Sequence, residues 1–481
     1  MKIYTSINKN IDYLTNLNNN SADIVSRIID NKIAYIFLES VSSDDKISNF
    51  LNKSILKRTT IRTLYKSIKN KIYNSNLLTD TNLDELFTYL ASGFTIIFVE
   101  GYSEAIIVET KNVLDRGIVE STVEPIIRGP KDSFTENYAT NIGLIRKRIK
   151  DNNLFFDEIK IGRRSKTKVS VVYINDIADK EKVKKIKDKL NCIDIDAIID
   201  SAYIREFMED DSTVFPKVIS TERPDLTCTS LLDGKIIIMV ENTPVVLIFP
   251  GLFVDFFHSP EDYYQKPLNV SFSRFLRLIC FFITISVPAI YIALMTFNPE
   301  IIPDQLLISL ATQREGVPFP TAIEVLIFVI IFEILREADI HSPNISGSAI
   351  SIVGALILGD AAVNAGVVSP IVIIVVAITS ISELVFYDVD MINAVREWRI
   401  IFIIASLAMG LIGLVVAIII FITKLVSLEC LDIPYLTPIT PNYFKQWKDA
   451  IIRLPRNKLK DRPKYLAKNI KRMSDNEKNS I

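Results

Sequence analysis

Two long apolar segments constrain the fold of this chain more than any other feature. Residues 275–297 and 400–423 are nearly free of charge, and about 20 consecutive apolar residues span a bilayer as a helix. Charged residues make up 23% of the chain and lie mostly outside the interval 275–423, which explains a mean hydropathy of +0.28. The sequence therefore predicts a soluble part, a membrane part and a basic tail, in that order.

Three shorter apolar stretches lie between the two long ones, at residues 321–335, 346–366 and 370–386. Arg274 and Arg277 lie at the start of the first long segment, and eleven Lys and Arg residues occur between 445 and 472. Lys and Arg favour the cytoplasmic side, so both ends should be cytoplasmic and the number of crossings even. We therefore expect four spans and one re-entrant or broken segment, for which 346–366 is the best candidate.

Carboxylates occur inside these apolar stretches. The run EVLIFVIIFEILREADI starts at Glu324 and includes Glu333, Arg336 and Glu337, and Glu383 lies in a later stretch. An ionisable group at the bilayer centre costs about 2.5–3.5 kcal/mol and usually faces the bundle interior or water. Glu333 is expected to pair with Arg336, three residues later on the helix. Two interpretations of these carboxylates remain. They pair with basic residues at the membrane interface, or they form a ring around a cation path.

The third apolar stretch carries small residues every four positions, which places them on one helical face. Such a face allows close helix packing. Alternatively, it lines a pore or cavity, with Asp360 and Asn364 at its end. The pore-lining or charge-filter candidates are therefore Gly347, Ser351, Ala355, Gly359, Asp360, Asn364, Glu333 and Glu383.

The sequence before the first apolar segment predicts an α/β fold. Two hairpin patterns, at 92–110 and 233–251, align when Gly93 is set against Gly234, which indicates an internal repeat. A strand over 169–174 leads into a helix capped by Asp176, and an amphipathic helix over 135–151 carries basic residues that read as a solvated face. The predicted regions are a polar Asn-rich segment (1–57), two α/β subdomains (58–160 and 161–255), an α-helical transmembrane domain (270–425) and a basic cytoplasmic tail (426–481).

Several function classes are disfavoured. A net charge of −1 argues against nucleic-acid binding, and two histidines and four scattered cysteines predict no metal site or disulfide framework. No catalytic or phosphate-binding motif occurs, so we expect neither a catalytic site nor a cofactor. A membrane enzyme would depend on Asp388 and Asp390, which read as a solvated loop.

The strongest motif is RGPKDSFTENYATNIGLIRKRI, which starts at Arg128. Its specific residues are Arg128, Gly129, Pro130, Phe134, Thr135 and Glu136. With the stretches 318–381 and 453–466, it makes the chain similar to the A subunit of GerA-type spore germinant receptors. The resemblance covers nearly the whole chain from about residue 58.

The resemblance implies a multi-pass subunit in the inner membrane of a dormant spore that initiates germination. It implies a homo-oligomer that conducts ions when a transporter-like B-type subunit binds a nutrient, with a C-type lipoprotein as a further partner and membrane lipid around it. An accessory germination paralogue remains an alternative. A secondary transporter is the other, although it predicts paired repeats in the membrane half, and the repeat lies in the soluble half.

Overall fold

The chain folds into two units, which we call the sheet unit and the helical unit. The computed structural model describes residues 2–17, 21–48, 65, 77–110, 124–209, 213–340, 358–443 and 447–472. The sheet unit consists of Met1–Asp211, Lys217–Gly251 and Pro455–Ile481, and the helical unit of Ser212–Pro216 and Leu252–Leu454.

The sheet unit contains two five-stranded antiparallel sheets with the same strand order. The elements of the first half are α1 (Ile7–Leu17), β1 (Ile24–Ile29), β2 (Ile33–Leu38), β3 (Leu77–Asp80), α2 (Leu86–Ala91), β4 (Phe94–Val99) and β5 (Ala105–Glu109). Those of the second half are α3 (Tyr138–Arg148), β6 (Leu154–Ile161), β7 (Thr167–Ile174), α4 (Lys180–Asn191), α5 (Ser201–Met208), β8 (Ile219–Thr221), α6 (Pro224–Leu232), β9 (Ile236–Val240) and β10 (Val246–Phe249). The orders are β1-β2-β4-β5-β3 and β6-β7-β9-β10-β8.

The predicted repeat is present at the level of individual residue pairs. Ile96 pairs with Ile107 in the first sheet, and Ile237 pairs with Ile248 at the equivalent positions of the second. Gly93 and Gly234 both follow the helix that precedes the hairpin, and both have positive φ, at 85° and 95°. A glycine just after a helix adopts this conformation without steric cost, so both hairpins are entered through the same turn.

The N-terminal segment differs from the expectation of a polar lead-in over 1–57. Residues in it form α1, β1 and β2, which supply two strands of the first sheet and part of its core. The run IAYIFL of β2 is buried at every position. Because Ile29 pairs with Ile33, three residues connect β1 to β2. Two of them, Asp30 and Asn31, have positive φ, which these residue types adopt more readily than most. The many Asn and Lys residues around these short strands obscured their apolar pattern. The second subdomain also begins earlier than residue 161, because β6 belongs to its sheet.

The basic C-terminal region also packs on the sheet unit where the structure describes it, from residue 455 to 472. Ala467 forms a bridge with Ala178 and lies in the second core, and a Cβ on Gly234 would lie 3.0 Å from the Ala467 Cα. Charge alone predicted a solvated segment, but its few small apolar residues attach it to the second sheet.

Arg146 of α3 joins the two halves of the sheet unit. Its side chain is fully buried and contacts Asp23, whose side chain is 2% exposed, at 3.2 Å. The guanidinium also lies 5.5 Å from the Phe87 ring centroid of the first half and 4.8 Å from that of Phe156 in the second. The prediction of a solvated face is therefore wrong for Arg146, because a negative partner 123 residues away in sequence makes its burial possible.

The N-cap of α4 also differs from the prediction. The Asp179 side chain, rather than that of Asp176, accepts the Glu181 N–H.

The helical unit is built from α7 (Pro267–Thr296), α8 (Asp304–Gln313), α9 (Thr321–Ile340), α10 (Pro370–Glu383), α11 (Val389–Ser427), the pair β11 (Glu429–Cys430) and β12 (Ile433–Pro434), and α12 (Trp447–Ala450). Two of these helices, α7 and α11, are long and apolar enough to cross a membrane. Residues 358–364 are also helical. Most of the predicted 346–366 segment lies outside the described residues.

Helix α11 is a hairpin rather than one rod. At Gly410 the backbone has φ 59° and ψ −133°, and the Trp398 and Phe421 ring centroids are 4.9 Å apart. A straight helix would separate residues 23 positions apart by about 35 Å. A Cβ on Gly413 would lie 1.9 Å from the Ala405 carbonyl oxygen, so the two halves pack closely. The fifth apolar segment, expected to be one span, therefore reverses direction at its centre.

We predict that Arg146→Met will lower the free energy of unfolding by about 3–5 kcal/mol, because Asp23 would stay buried without its partner. The measurement is a denaturant titration of the purified chain in detergent. Lys147→Met changes an exposed neighbour on the same helix and should alter stability by less than about 0.5 kcal/mol. Equal effects of the two substitutions would contradict the role given to Arg146.

We predict that Gly410→Ala will destabilise the chain by about 1–3 kcal/mol more than Gly316→Ala. Both glycines have positive φ, but a Cβ at Gly410 would meet the Phe297 Cβ at 2.7 Å, whereas a Cβ at Gly316 has no neighbour within 4 Å. Unfolding followed by tryptophan fluorescence measures the difference. Replacing Phe297 by Gly, which removes both the Cβ and the ring, should remove most of it. An unchanged difference in that background would contradict the contact between Gly410 and Phe297.

Candidate functional site

Helices α9 and α10 lie side by side and run in the same direction. Near the start of α9, the Glu324 carboxylate accepts hydrogen bonds from the N–H and the hydroxyl of Ser369, both at 2.9 Å. Ser369 is the N-cap of α10, and Arg314 contacts the same carboxylate at 3.3 Å. Glu324 is 1% exposed, so the carboxylate at one end of α9 holds the start of α10.

The far ends of the two helices meet in a second cluster, which we call the Arg399 network. It consists of Glu333 and Arg336 of α9, Glu383 of α10, and Arg396 and Arg399 of α11. Arg399 is 3% exposed and contacts Glu383 at 2.7 Å as well as Glu333. Arg336 also binds Glu383, and Arg396 also binds Glu333. One arginine of α11 therefore joins α9 to α10.

The pairing in this network differs from the sequence expectation. Glu333 was expected to bind Arg336 of its own helix, but Arg336 binds Glu383 and Glu333 binds Arg396 and Arg399. Two arginines from α11 contact Glu333, and both lie more than 60 residues away in sequence. The network holds three arginines and two carboxylates, so in this conformation neither carboxylate is an unpaired negative charge.

The structure describes only some of the other residues predicted to line a pore or act as a charge filter. Gly347, Ser351 and Ala355 lie outside the described residues. Gly359 is buried, and a Cβ there would contact Ile373 of α10 at 3.6 Å, which is ordinary packing distance. Asp360 and Asn364 are exposed. Their role stays a prediction.

The motif that begins at Arg128 is largely structural. Arg128, Gly129 and Glu136 are exposed, whereas Phe134 and Thr135 are buried. The Pro130 carbonyl accepts a hydrogen bond from Arg223 at 3.0 Å, and the Thr135 N–H donates to Asn141 at 2.8 Å. These contacts set the start of α3, which carries Arg146. Similarly, Asp388 accepts the Met391 N–H at 2.9 Å and caps α11, a structural role for the first aspartate of the DxD pair.

A third charged cluster holds the start of α7. Arg274 and Arg277 contact Asp262 at 2.9 and 3.0 Å. Burial favours the neutral form of Asp262, but the hydrogen bonds and charges of Arg277 and Arg274 outweigh it and lower the pKa of this carboxyl. Burial and the Arg274 charge lower the pKa of His258 to about 4, so its ring is neutral at pH 7. The two arginines used to orient the first segment are therefore internally paired.

Sequence reasoning missed Arg396, Arg399 and Ser369. The signal was REWR, residues 396–399, at the start of the last apolar segment. Its arginines are three apart, which puts them on neighbouring positions of one helical face, close to the carboxylates of the earlier stretches in any compact bundle.

Comparison with known proteins identifies the family. The protein-family model described as Bacillus/Clostridium GerA spore germination protein matches residues 12–465. The chain belongs to the GerA family. Spore germination protein KA of Bacillus subtilis (strain 168) is 39% identical over 440 residues, which cover 91% of this chain and 81% of that protein. Spore germination protein GerLA of Bacillus cereus is 34% identical over 448 residues, 90% of this chain and 89% of that one.

Two further similarities extend the comparison of this GerA-family chain. The uncharacterized membrane protein YfkQ of Bacillus subtilis (strain 168) is 34% identical over 94% of this chain and 90% of its own length. The crystal structure of the N-terminal domain of the A subunit of the Bacillus megaterium spore germinant receptor GerK3 is 31% identical, with a TM-score of 0.42, over 53% of this chain and 98% of that one. The family membership supports a germination-related receptor subunit.

We predict that Glu383→Gln will lower the free energy of unfolding by about 3–5 kcal/mol, because Arg399 and Arg336 lose a buried partner. Adding Arg399→Gln should recover part of this loss, so the two effects should be non-additive by about 0.5–3 kcal/mol. The matched control is Glu397→Gln, an exposed carboxylate on α11. Additive losses in the double-mutant cycle would contradict the ion pair.

Proposed function

We propose that this chain is the A-type membrane subunit of a nutrient-responsive spore germinant receptor and that it forms an oligomeric ion conduit. Its partners would be a transporter-like B-type subunit that binds the nutrient and a C-type lipoprotein. Membership of the GerA family supports the receptor role. The conduit is supported by charge inside apolar helices, since such groups usually mark ion pathways or bundle interiors.

The Arg399 network is the observation that carries the conduit proposal. Arg399 holds α9 and α10 together through Glu333 and Glu383, and we assign this arrangement to the closed state. Opening would separate the arginines from the carboxylates and leave Glu333 and Glu383 to attract cations. The small-residue face from Gly347 to Gly359, with Asp360 and Asn364 at its end, would then line the path. A two-state equilibrium of this kind needs only a few kcal/mol of differential affinity to shift.

The helix directions support a topology with both termini in the cytoplasm. Helices α9 and α10 meet start to start and end to end, so they run in the same direction. The reversal at Gly410 makes two passages out of the last apolar segment. With one passage for each of the first four apolar stretches of the sequence and two for the last, the number of passages is even, as the Lys and Arg distribution requires. The hairpin in α11, rather than a re-entrant third segment, would then satisfy the charge rule.

Cation leak through reconstituted protein tests the closing role. The variant is Arg399→Gln, because Glu383 keeps Arg336 as a partner and Glu333 keeps Arg396, so both carboxylates stay present and paired. Liposomes containing this variant should release a trapped cation at least about tenfold faster than wild type, since each 1.4 kcal/mol of lost closed-state stability multiplies the open population by ten. Glu397→Gln should leave the leak unchanged.

The size of the purified particle belongs to the same experiment. An oligomer is expected for wild type and for both variants, measured as protein mass in detergent. An unchanged leak in an Arg399→Gln variant that remains folded and oligomeric would contradict the closing role. A monomer without flux in every case would contradict the conduit itself.

A further inference from the structure

Positive charge is concentrated in two segments of the sheet unit, helix α4 and the C-terminal residues 455–472. Helix α4 carries six lysines against Glu181 and Asp188, which gives it a net charge of +4. Residues 455–472 carry eight Lys and Arg residues against Asp461, which gives them a net charge of +7. Because the whole chain has a net charge of −1, the rest of the sequence has a net negative charge.

The fold brings these two segments together. The Lys182 ammonium donates to the Tyr465 carbonyl at 2.8 Å, although the two residues are 283 positions apart. The Lys468 N–H donates to the Ile177 carbonyl at 2.9 Å, and the Lys468 ammonium contacts Asp179 at 3.2 Å. The C-terminal segment therefore runs beside the start of α4, and the two segments together form a surface that we call the basic face.

Neighbouring carboxylates neutralise only part of the basic face. Asp157 binds Lys187, Asp179 binds Lys468, and Asp233 binds Arg472; these pairs lie along its edges. Other cations of the face are exposed and, among the residues that the structure describes, have no carboxylate within ion-pair distance. They include Lys180, Lys184, Lys460 and Lys464. The basic face therefore keeps charge that is available to an external anion.

The C-terminal segment leaves the helical unit beside the start of α7. The Arg453 N–H donates to the Ser271 hydroxyl, in the second turn of α7, at 3.0 Å. The Arg274 guanidinium of the same helix donates to the Asp449 carbonyl at 2.5 Å. The basic segment starts two residues after Arg453, at Pro455. Since α7 is long and apolar enough to cross a membrane, this segment begins close to the end of a candidate membrane span.

We propose that the basic face binds the headgroups of anionic phospholipids at the cytoplasmic surface of the membrane. A cluster of about four to eight Lys and Arg residues next to a membrane span attracts anionic lipids, because the cytoplasmic leaflet is negatively charged. Residues 455–472 alone meet this criterion, and the lysines of α4 add to their charge. A lysine ammonium acts as a point charge on a flexible stem, so it can contact a lipid phosphate without a preformed pocket.

The position of the C-terminal segment favours a membrane over a nucleic acid or an acidic protein, which the same charge would also attract. Electrostatic attraction between exposed charges is screened beyond about 10 Å at about 0.1 M salt, and the segment starts beside a candidate membrane span. Lipid binding would give the sheet unit its own contact with the membrane, in addition to its peptide connections to the helical unit. This inference goes beyond the conduit proposal, and its failure would leave the leak experiment unaffected.

Cosedimentation of the full chain with lipid vesicles tests the proposal. The chain is held in nanodiscs of phosphatidylcholine, and the sucrose-loaded vesicles contain either phosphatidylcholine alone or about 30% of the anionic lipid phosphatidylglycerol. Wild type should partition onto the anionic vesicles at least about tenfold more strongly than onto the neutral ones. Salt at about 0.5 M should release it, because the screening length then falls to about 4 Å.

Paired substitutions locate the binding surface. Lys184→Gln with Lys464→Gln removes one exposed charge from each segment and should lower the partition coefficient about 20-fold, because each lysine near an anionic surface contributes about fivefold. Lys184→Arg with Lys464→Arg keeps both charges and should bind like wild type. The matched control is Lys147→Gln with Lys150→Gln, two exposed lysines outside both segments, which should change binding by less than about twofold.

A soluble polyanion tests the competing partner. Polyuridylic acid is added at the same salt and phosphate concentrations as the anionic vesicles, and it should bind wild type more weakly than the vesicles do. Tighter binding of the polynucleotide would identify a nucleic acid as the partner and overturn the proposal. The proposal is also overturned if wild type binds neutral and anionic vesicles equally, if salt leaves binding unchanged, or if the control pair weakens binding as much as the pair on the basic face.

Discussion

Charge buried among apolar helices is the constraint on which the helical unit depends. Arg399 is nearly inaccessible to solvent, and a buried charge is tolerated only with partners of opposite sign and good geometry. Glu333 and Glu383 supply those partners from two other helices. The relative positions of α9, α10 and α11 are therefore set at one point, and Glu324 with Ser369 sets a second point at the other end. Helices that are joined by a few ion pairs and hydrogen bonds between apolar surfaces can change their arrangement by exchanging the partners of those ion pairs and hydrogen bonds.

The same rule applies in the sheet unit. Arg146 lies between the aromatic side chains of the two halves and is neutralised by Asp23. Each half has its own core, so this buried pair is a specific contact between two similar modules. A cavity of about 290 Å³ lies beside this pair and is lined by carboxylates of both halves. Burial of charge thus accounts for the connection between the two modules.

The hairpin of α11 shows how one glycine alters a membrane segment. Gly410 allows a backbone conformation that other residues rarely adopt, and Gly413 lets the returning half approach the Ala405 carbonyl. The aromatic side chains of Trp398, Phe402 and Phe421 fill the space between the two halves. Phe215, in the short segment Ser212–Pro216 that belongs to the helical unit, packs against Trp398 and Phe421 as well.

The sequence by itself determined the layout, the strand pairs and the family of this protein. Alternating and continuous apolar runs are local signals, so the β4–β5 and β9–β10 hairpins and their equivalence were readable from residues close together in the chain. The polar N-terminal segment was misread because its strands are short and surrounded by Asn and Lys. Only the tertiary structure decided the partners of Glu333, Glu383 and Arg146, the reversal at Gly410 and the docking of Ala467. Each of these depends on residues distant in sequence, and the energy of burying a charge or a backbone turn depends on what surrounds it in space.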